Sequence, residues 1–167
     1  MALDVAIRTA EIGDLASITE IYNEAVLTTT ATFDVEPKTH ADRVEWYRAH
    51  GERYPILVAL IEGRIVGWAS LSRFSDRPAY DETAETSFYV KAEFRGQGIG
   101  RALKAAIIAE ARRLGFHSLL ARVAEGSDES LHLNTSFGFV HVGTLKEVGR
   151  KFGRRLDVRL MQLMLDT

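Results

Sequence analysis

Arg95-Gly96-Gln97-Gly98-Ile99-Gly100 combines a fixed cation with glycines at three alternate positions. A run with strand character, Thr86-Ser87-Phe88-Tyr89-Val90, precedes it, and a run with helix character, Arg101 to Leu114, follows. Glycine leaves backbone N–H groups uncovered at the start of the helix, where they lack intrahelical partners and the macrodipole adds positive potential. Such a turn wraps an anion, and Arg95 adds charge beside it. The chemistry on offer is the cradling of a pyrophosphate. A glycine-rich loop that only caps a helix is the plainer alternative.

Two phosphate loops fit poorly. A Walker loop needs Gly-x-x-x-x-Gly-Lys-Ser/Thr, and neither the Lys nor the Ser/Thr is in place. A dinucleotide fingerprint needs Gly-x-Gly-x-x-Gly early in a βαβ unit, whereas the spacing here is Gly-x-Gly-x-Gly in mid-chain. Glu85 offers a second kind of chemistry. A carboxylate at a strand edge can take a proton, directly or through a water. A solvated strand-start Glu is the alternative, and Glu82 is the nearest rival.

The elements that must hold these groups follow from periodicity. Val5-Ala6-Ile7 reads as a first strand. Asp14 is placed to cap a helix with Leu15, Ile18, Ile21, Tyr22 and Ala25 on one face. Thr28 to Pro37 reads as a loop. Thr39 with Asp42 forms a capping-box pattern opening a second helix to about Glu52. Strands at Pro55–Leu60 and Arg64–Leu71 are joined by a hairpin at Glu62-Gly63. Phe74 to Ala84 is a loop. After the glycine turn, Leu103, Ile107, Glu110 or Ala111, and Leu114 share a helix face that Gly115 ends. A strand at Ser118–Ala124 and a short helix at Asp128–Phe137 follow. Strands at His141–Val148 and Leu156–Leu165 flank a basic turn, Gly149 to Arg154. This order implies one mixed α/β domain, residues 1–167, with a largely antiparallel sheet.

Bulk properties narrow the field. The chain has 167 residues and a formal net charge of −2, so nothing in its charge argues for nucleic acid. It has no cysteine, which excludes disulfides, thiolate metal sites and thiol catalysis. The five histidines are scattered, and no metal is expected. No apolar run reaches membrane-span length, and no secretory signal pattern opens the chain. The cytoplasm is the default compartment.

Arg95, Gly98 and Gly100 match Arg/Gln-x-x-Gly-x-Gly/Ala, which resembles the acetyl-coenzyme A loop of the GNAT N-acetyltransferases. The element order resembles that family over nearly the whole chain, and implies the GNAT fold with helices on both sheet faces. The resemblance is sharpest to its phosphinothricin and methionine sulfoximine acetyltransferases. It rests on Glu20-Ile21-Tyr22-Asn23-Glu24-Ala25-Val26, Arg77-Pro78-Ala79-Tyr80, Glu85 to Val90, and Val148 to Asp157.

The resemblance implies acetyl-coenzyme A as cosubstrate and a small-molecule amine as acceptor. It implies cofactor contacts at Tyr89, Val90, Arg95, Gly96, Gln97, Gly98, Ile99, Gly100 and Arg101, with Ser127 and Ser130 on the following short helix. The strand before the loop splays from its neighbour at a bulge in this family. The Val90 N–H then faces the thioester carbonyl, where negative charge grows. Glu85 matches the general base. Phe33, Arg77, Tyr80 and Lys151 match acceptor-site positions, Arg77 suiting a carboxylate. The hairpin around Gly149 to Asp157 implies a homodimer. One position departs. Asn134 stands where relatives carry Tyr or His as the acid that protonates the departing thiolate, and an amide is no acid. Asn134 can still hydrogen-bond the sulfur. His132, about 200° away round the helix, should face elsewhere. The rival readings are the same chemistry on a protein N-terminus or polyamine, and a non-catalytic coenzyme A-binding module.

Overall fold

The structure is a computed structural model that describes residues 3–166. Seven strands form one sheet: β1 (Ala6–Thr9), β2 (Ile56–Ile61), β3 (Arg64–Arg73), β4 (Thr83–Val90), β5 (Ser118–Ala124), β6 (Val140–Lys151) and β7 (Arg154–Met164). Their spatial order is β1-β2-β3-β4-β5-β7-β6, and every pairing is antiparallel except β4 with β5. The helices are α1 (Leu15–Thr28), α2 (His40–His50), α3 (Ile99–Arg113) and α4 (Asp128–Ser136). None of the described helices is long and apolar enough to cross a membrane.

Period-two alternation splits the core in two. Leu57 and Ala59 of β2 and Val66, Ala69 and Leu71 of β3 pack with Leu103, Ile107 and Ala111 of α3. Ile56, Val58 and Trp68 point to the other face, against Leu15, Ile18, Ile21 and Tyr22 of α1. Helices therefore cover both faces, as the sequence implies.

Local signals mostly hold. The Thr39–Asp42 capping box is formed. The Glu62-Gly63 hairpin has both central residues at positive φ, as a two-residue turn requires. Asp14 differs. Its carboxylate accepts from the Glu11 N–H at 2.7 Å and from Arg8 at 2.6 and 3.0 Å. It thus closes a short 3-10 turn, Ile12–Asp14, and makes no side-chain cap for α1. The expected basic turn at Gly149 to Arg154 is mostly strand, because β6 and β7 pair to Lys151↔Arg154 and leave only Phe152-Gly153 to turn. The expected bulge in β4 is also absent. Its register with β3 runs unbroken from Gly67↔Val90 to Arg73↔Ala84.

The feature that positions the site is a split. β4 pairs with β5 only from Thr83↔Ser118 to Glu85↔Leu120. Beyond Glu85, β4 stays with β3, while β5 stays with β7 along Ser118↔Met164 to Ala124↔Val158. The two strands diverge into a V that opens toward the glycine loop.

Candidate active site

A cleft of about 1210 Å³ fills the V. Its walls are β4 from Glu85 to Val90, β5 from Ala121 to Ala124, the glycine loop, α4, and the segment after α1. Lys91 gives its N–H to the Val66 carbonyl at 2.8 Å. Amides alternate sides along a strand, so the Val90 N–H turns away from β3 and toward the gap. A donor without a strand partner thus faces the cleft.

The glycine loop forms the outer lip. Gly96 and Gly98 have φ of +75° and +86°, and a Cβ on either would meet no protein atom within 4 Å. Open space in front of a left-handed backbone is what a close-lying ligand needs. Gly98 is the N-cap of α3, so the free N–H groups of its first turn face that space. Gly100 serves a different purpose: a Cβ there would lie 3.2 Å from the Phe88 ring, so its absence lets α3 seat on β4. Arg95 is held by Nε to the Val90 carbonyl at 3.1 Å and by Glu24 at 3.6 Å. The loop fits a diphosphate with a thin chain leading from it into the V.

The inner end carries Glu85. Burial raises its carboxyl above the usual range, and the Arg122 guanidinium opposes that rise from 3.2 Å. By alternation Glu85, Ser87 and Tyr89 face the α1 side, while Thr86, Phe88 and Val90 face α3. Phe33 lines the α1-side mouth with Leu145 and Val148. Its ring packs on the bare backbone of Gly149, where a Cβ would collide with it. The register shift between Leu145 and Gly149 bends β6 over it.

The structure brings together most of the expected residues. Arg101, Ser127, Ser130 and Asn134 line the cleft beside those named above. His132, expected to face elsewhere, is exposed as a surface residue but lines the cleft. Six expected residues need correction. Ile99 is buried in the core and Gln97 reaches back to the Glu93 carbonyl at 3.3 Å, so neither side chain lines the cleft. Arg77 and Tyr80 lie outside it on the exposed loop before β4, where Tyr80 packs edge-on against Phe74. Lys151 is buried, not displayed on a turn, and gives its ammonium to the Thr32 carbonyl at 2.8 Å. Asn134 directs its Nδ2 at Ser130, to the carbonyl at 2.9 Å and the hydroxyl at 3.4 Å. The carbonyl takes one N–H firmly and the hydroxyl engages the amide only weakly, so the amide is directed mainly at Ser130.

Sequence reasoning missed two groups. Arg122 lies beyond Glu85 on β5. Lys104 sits at helical spacing with Ile107, Ile108 and Ala111, on a stripe otherwise apolar, which was the available signal. It is 1% exposed, lines the cleft, and donates to Thr86 Oγ1 at 2.7 Å. Burial pushes its ammonium down to about 7.

Comparison with known proteins agrees with this geometry. The family model of the acetyltransferase (GNAT) domain matches residues 7–160. The chain belongs to the GNAT acetyltransferase family. An L-amino acid N-acyltransferase of Escherichia coli is 39% identical, covering 97% of this chain and 95% of its own. An L-methionine sulfoximine/L-methionine sulfone acetyltransferase of Pseudomonas paraeruginosa is 39% identical, covering 98% and 96%. A phosphinothricin acetyltransferase of Sinorhizobium meliloti, solved with acetyl-coenzyme A, superposes with a TM-score of 0.94 at 37% identity, covering 96% and 88%. This GNAT enzyme uses acetyl-coenzyme A, and the glycine loop and V are the parts of the chain that fit it.

Two outcomes follow from the cleft. A side chain at Gly98 would enter ligand space, and a left-handed non-glycine residue costs ~1–3 kcal/mol. Gly98→Val should weaken coenzyme A binding by roughly a hundredfold in calorimetry; unchanged affinity would remove the loop from the site. Lys104 provides the second. The unfolded chain keeps this proton to about pH 10.5 and the folded chain only to about pH 7. The folded state therefore binds fewer protons between those values, and stability rises with pH across that window, by at most ~1.4 kcal/mol per unit. Lys104→Met should flatten that rise in thermal unfolding, and matching slopes would show that the ammonium is solvated.

Proposed function

We propose that this enzyme acetylates the α-amine of a small amino-acid-like acceptor of the methionine sulfoximine, methionine sulfone or phosphinothricin type. The observation that carries the reading is that a half-buried carboxylate, Glu85, and an unpartnered strand N–H, Val90, flank the same break in the sheet. When bound, acetyl-coenzyme A supplies the thioester carbonyl for the amine to attack. Glu85 takes the proton of an acceptor ammonium, a task suited to a carboxylate whose proton affinity burial has raised. The Val90 N–H is oriented in advance toward the oxygen that gains charge.

An acceptor carboxylate has a cationic partner in the same cleft. Arg122 faces Glu85, and a planar carboxylate pairs well with a guanidinium. Drawing Arg122 onto the acceptor weakens the one influence that lowers the Glu85 pKa. Substrate binding would thereby strengthen the base. Arg122 takes over the carboxylate role first expected of Arg77. Phe33 bounds the acceptor's side chain. The relatives' amino-acid substrates favour this reading over a peptide N-terminus or a polyamine. The cytoplasm is the expected compartment.

A homodimer through the C-terminal hairpin is part of the proposal. β6 is an edge strand, and its Val140, Val142 and Val148, with Phe152 in the turn that follows, are all more than half exposed, at 61, 52, 54 and 56%. An apolar edge of this kind favours a second copy.

A thiol-release assay over a panel of amines tests the chemistry. Methionine sulfone and its kin should exceed amines without a carboxylate, and Glu85→Gln should cut turnover by about 10²–10⁴-fold with coenzyme A affinity unchanged. A loss below about threefold would refute the base, and efficient acetylation of peptides would move the acceptor class. Light scattering at micromolar concentration should give a dimer, and Val142→Asp should shift it toward monomer. Wild-type monomer would end the dimer proposal.

A further inference from the structure

We propose that Lys104 is a catalytic residue of the transfer: it hands a proton to the departing coenzyme A sulfur, the task Asn134 does not perform. The inference rests on the acetyltransferase reading above. Three observations carry it. Lys104 lines the cleft while almost fully buried, and its Nζ bonds Thr86 Oγ1, one residue past the last β4–β5 pair, at the apex of the V. An ammonium has three N–H groups, and the described residues give this one no other hydrogen-bond partner. Asn134 is oriented the wrong way for an acid or a donor: its Nδ2 serves Ser130, and its Oδ1 is buried without a partner.

Phe139 touches both residues by different parts: Lys104 Nζ lies 4.3 Å from its ring centroid, and its backbone N–H bonds the Asn134 backbone carbonyl at 3.1 Å. The groups facing Lys104 are otherwise Thr86 and Phe88 of β4. Glu85 points to the opposite sheet face and pairs with Arg122, and Arg101, one turn earlier on α3, bonds Ser136. Lys104 forms no ion pair among the described residues, so a thiolate formed in the cleft would be its counter-charge. An amine that burial has brought to about 7 is near the working pH, where a proton donor is most effective.

The balance is simple. The acceptor nitrogen bonds to the carbonyl carbon, and the C–S bond breaks with its electron pair on sulfur. A proton passes from Nζ to sulfur, leaving a thiol and a neutral lysine. The acceptor nitrogen loses two protons, one before attack and one after the C–N bond forms; Glu85 passes each in turn to solvent, one proton from solvent restores the Lys104 ammonium, and one is released overall.

The first test needs no acceptor. The thiol pKa of coenzyme A bound to wild type and to Lys104→Met is read from the ultraviolet absorbance of the thiolate. In wild type the thiol and Lys104 should titrate as a coupled pair, with thiolate appearing at lower pH than in Lys104→Met; identical titrations overturn the proposal. Lys104→Gln, which keeps a donor for Thr86, controls for folding and should behave like Lys104→Met. In turnover with the best amine, Lys104→Met should cut kcat by about 10²–10⁴-fold and abolish the alkaline limb of the pH profile. Adding Asn134→His should restore part of the rate. A loss below about threefold, or acetyl found on Lys104 itself by mass spectrometry, overturns the assignment. Because the thiol measurement is independent of any amine, this proposal and the acceptor reading fail separately.

Discussion

The divergence of β4 from β5 governs this molecule. Backbone N–H and C=O groups away from water need partners, and two neighbouring strands ordinarily supply them to each other. Here the pairing stops after Glu85↔Leu120, although each strand keeps its other neighbour to the end. The sheet stays intact on either side while a row of amides at its centre goes unpaired. A thin, polar chain lying along β4 can take those partners. The split needs no bulge in β4. The parallel pair sets where it starts, and the separate loyalties of β4 to β3 and β5 to β7 keep it open.

The V also sorts charge. Glu85 and Thr86 are adjacent in sequence and face opposite sides of the sheet, so Glu85 and the Lys104 bound to Thr86 lie on opposite sides of one gap. Burial lifts the carboxyl and depresses the ammonium. The two groups are therefore shifted in opposite directions, the carboxyl up and the ammonium down. Neither could hold this state if it were paired tightly. Glu85 has one partly exposed arginine, and Lys104 has a hydroxyl and two aromatic rings.

Much of this was legible in the residues. The glycine loop declared its anion cradle because only glycine tolerates φ near +86° with a ligand in front of it. Strand and helix order followed from periodicity and turn chemistry. The misses have physical reasons. Asp14 looked like a helix cap, but Arg8 is a non-local partner that no local pattern reveals. The Gly149 to Arg154 turn looked long because charge reads as loop, whereas an exposed edge hairpin tolerates charge along its length. Arg77 could be placed only by resemblance, and the loop carrying it lies outside the cleft of its own chain. Lys104 was hidden in plain view: a basic residue on an apolar stripe reads as a snorkelling surface side chain until the sheet beneath it is known to be split.

Gly149 and Phe33 have a consequence of their own. The ring rests on bare backbone, and any side chain at 149 would have to push it away. Phe33 lines the cleft, so under the proposed acceptor site its displacement would narrow or tilt the mouth. The size of the accepted molecule is therefore adjustable from a strand position that never touches it. Drift at residue 149 would retune acceptor choice while the machinery at Glu85 and Val90 stayed as it is, giving the scaffold a route to new substrates that bypasses its chemistry.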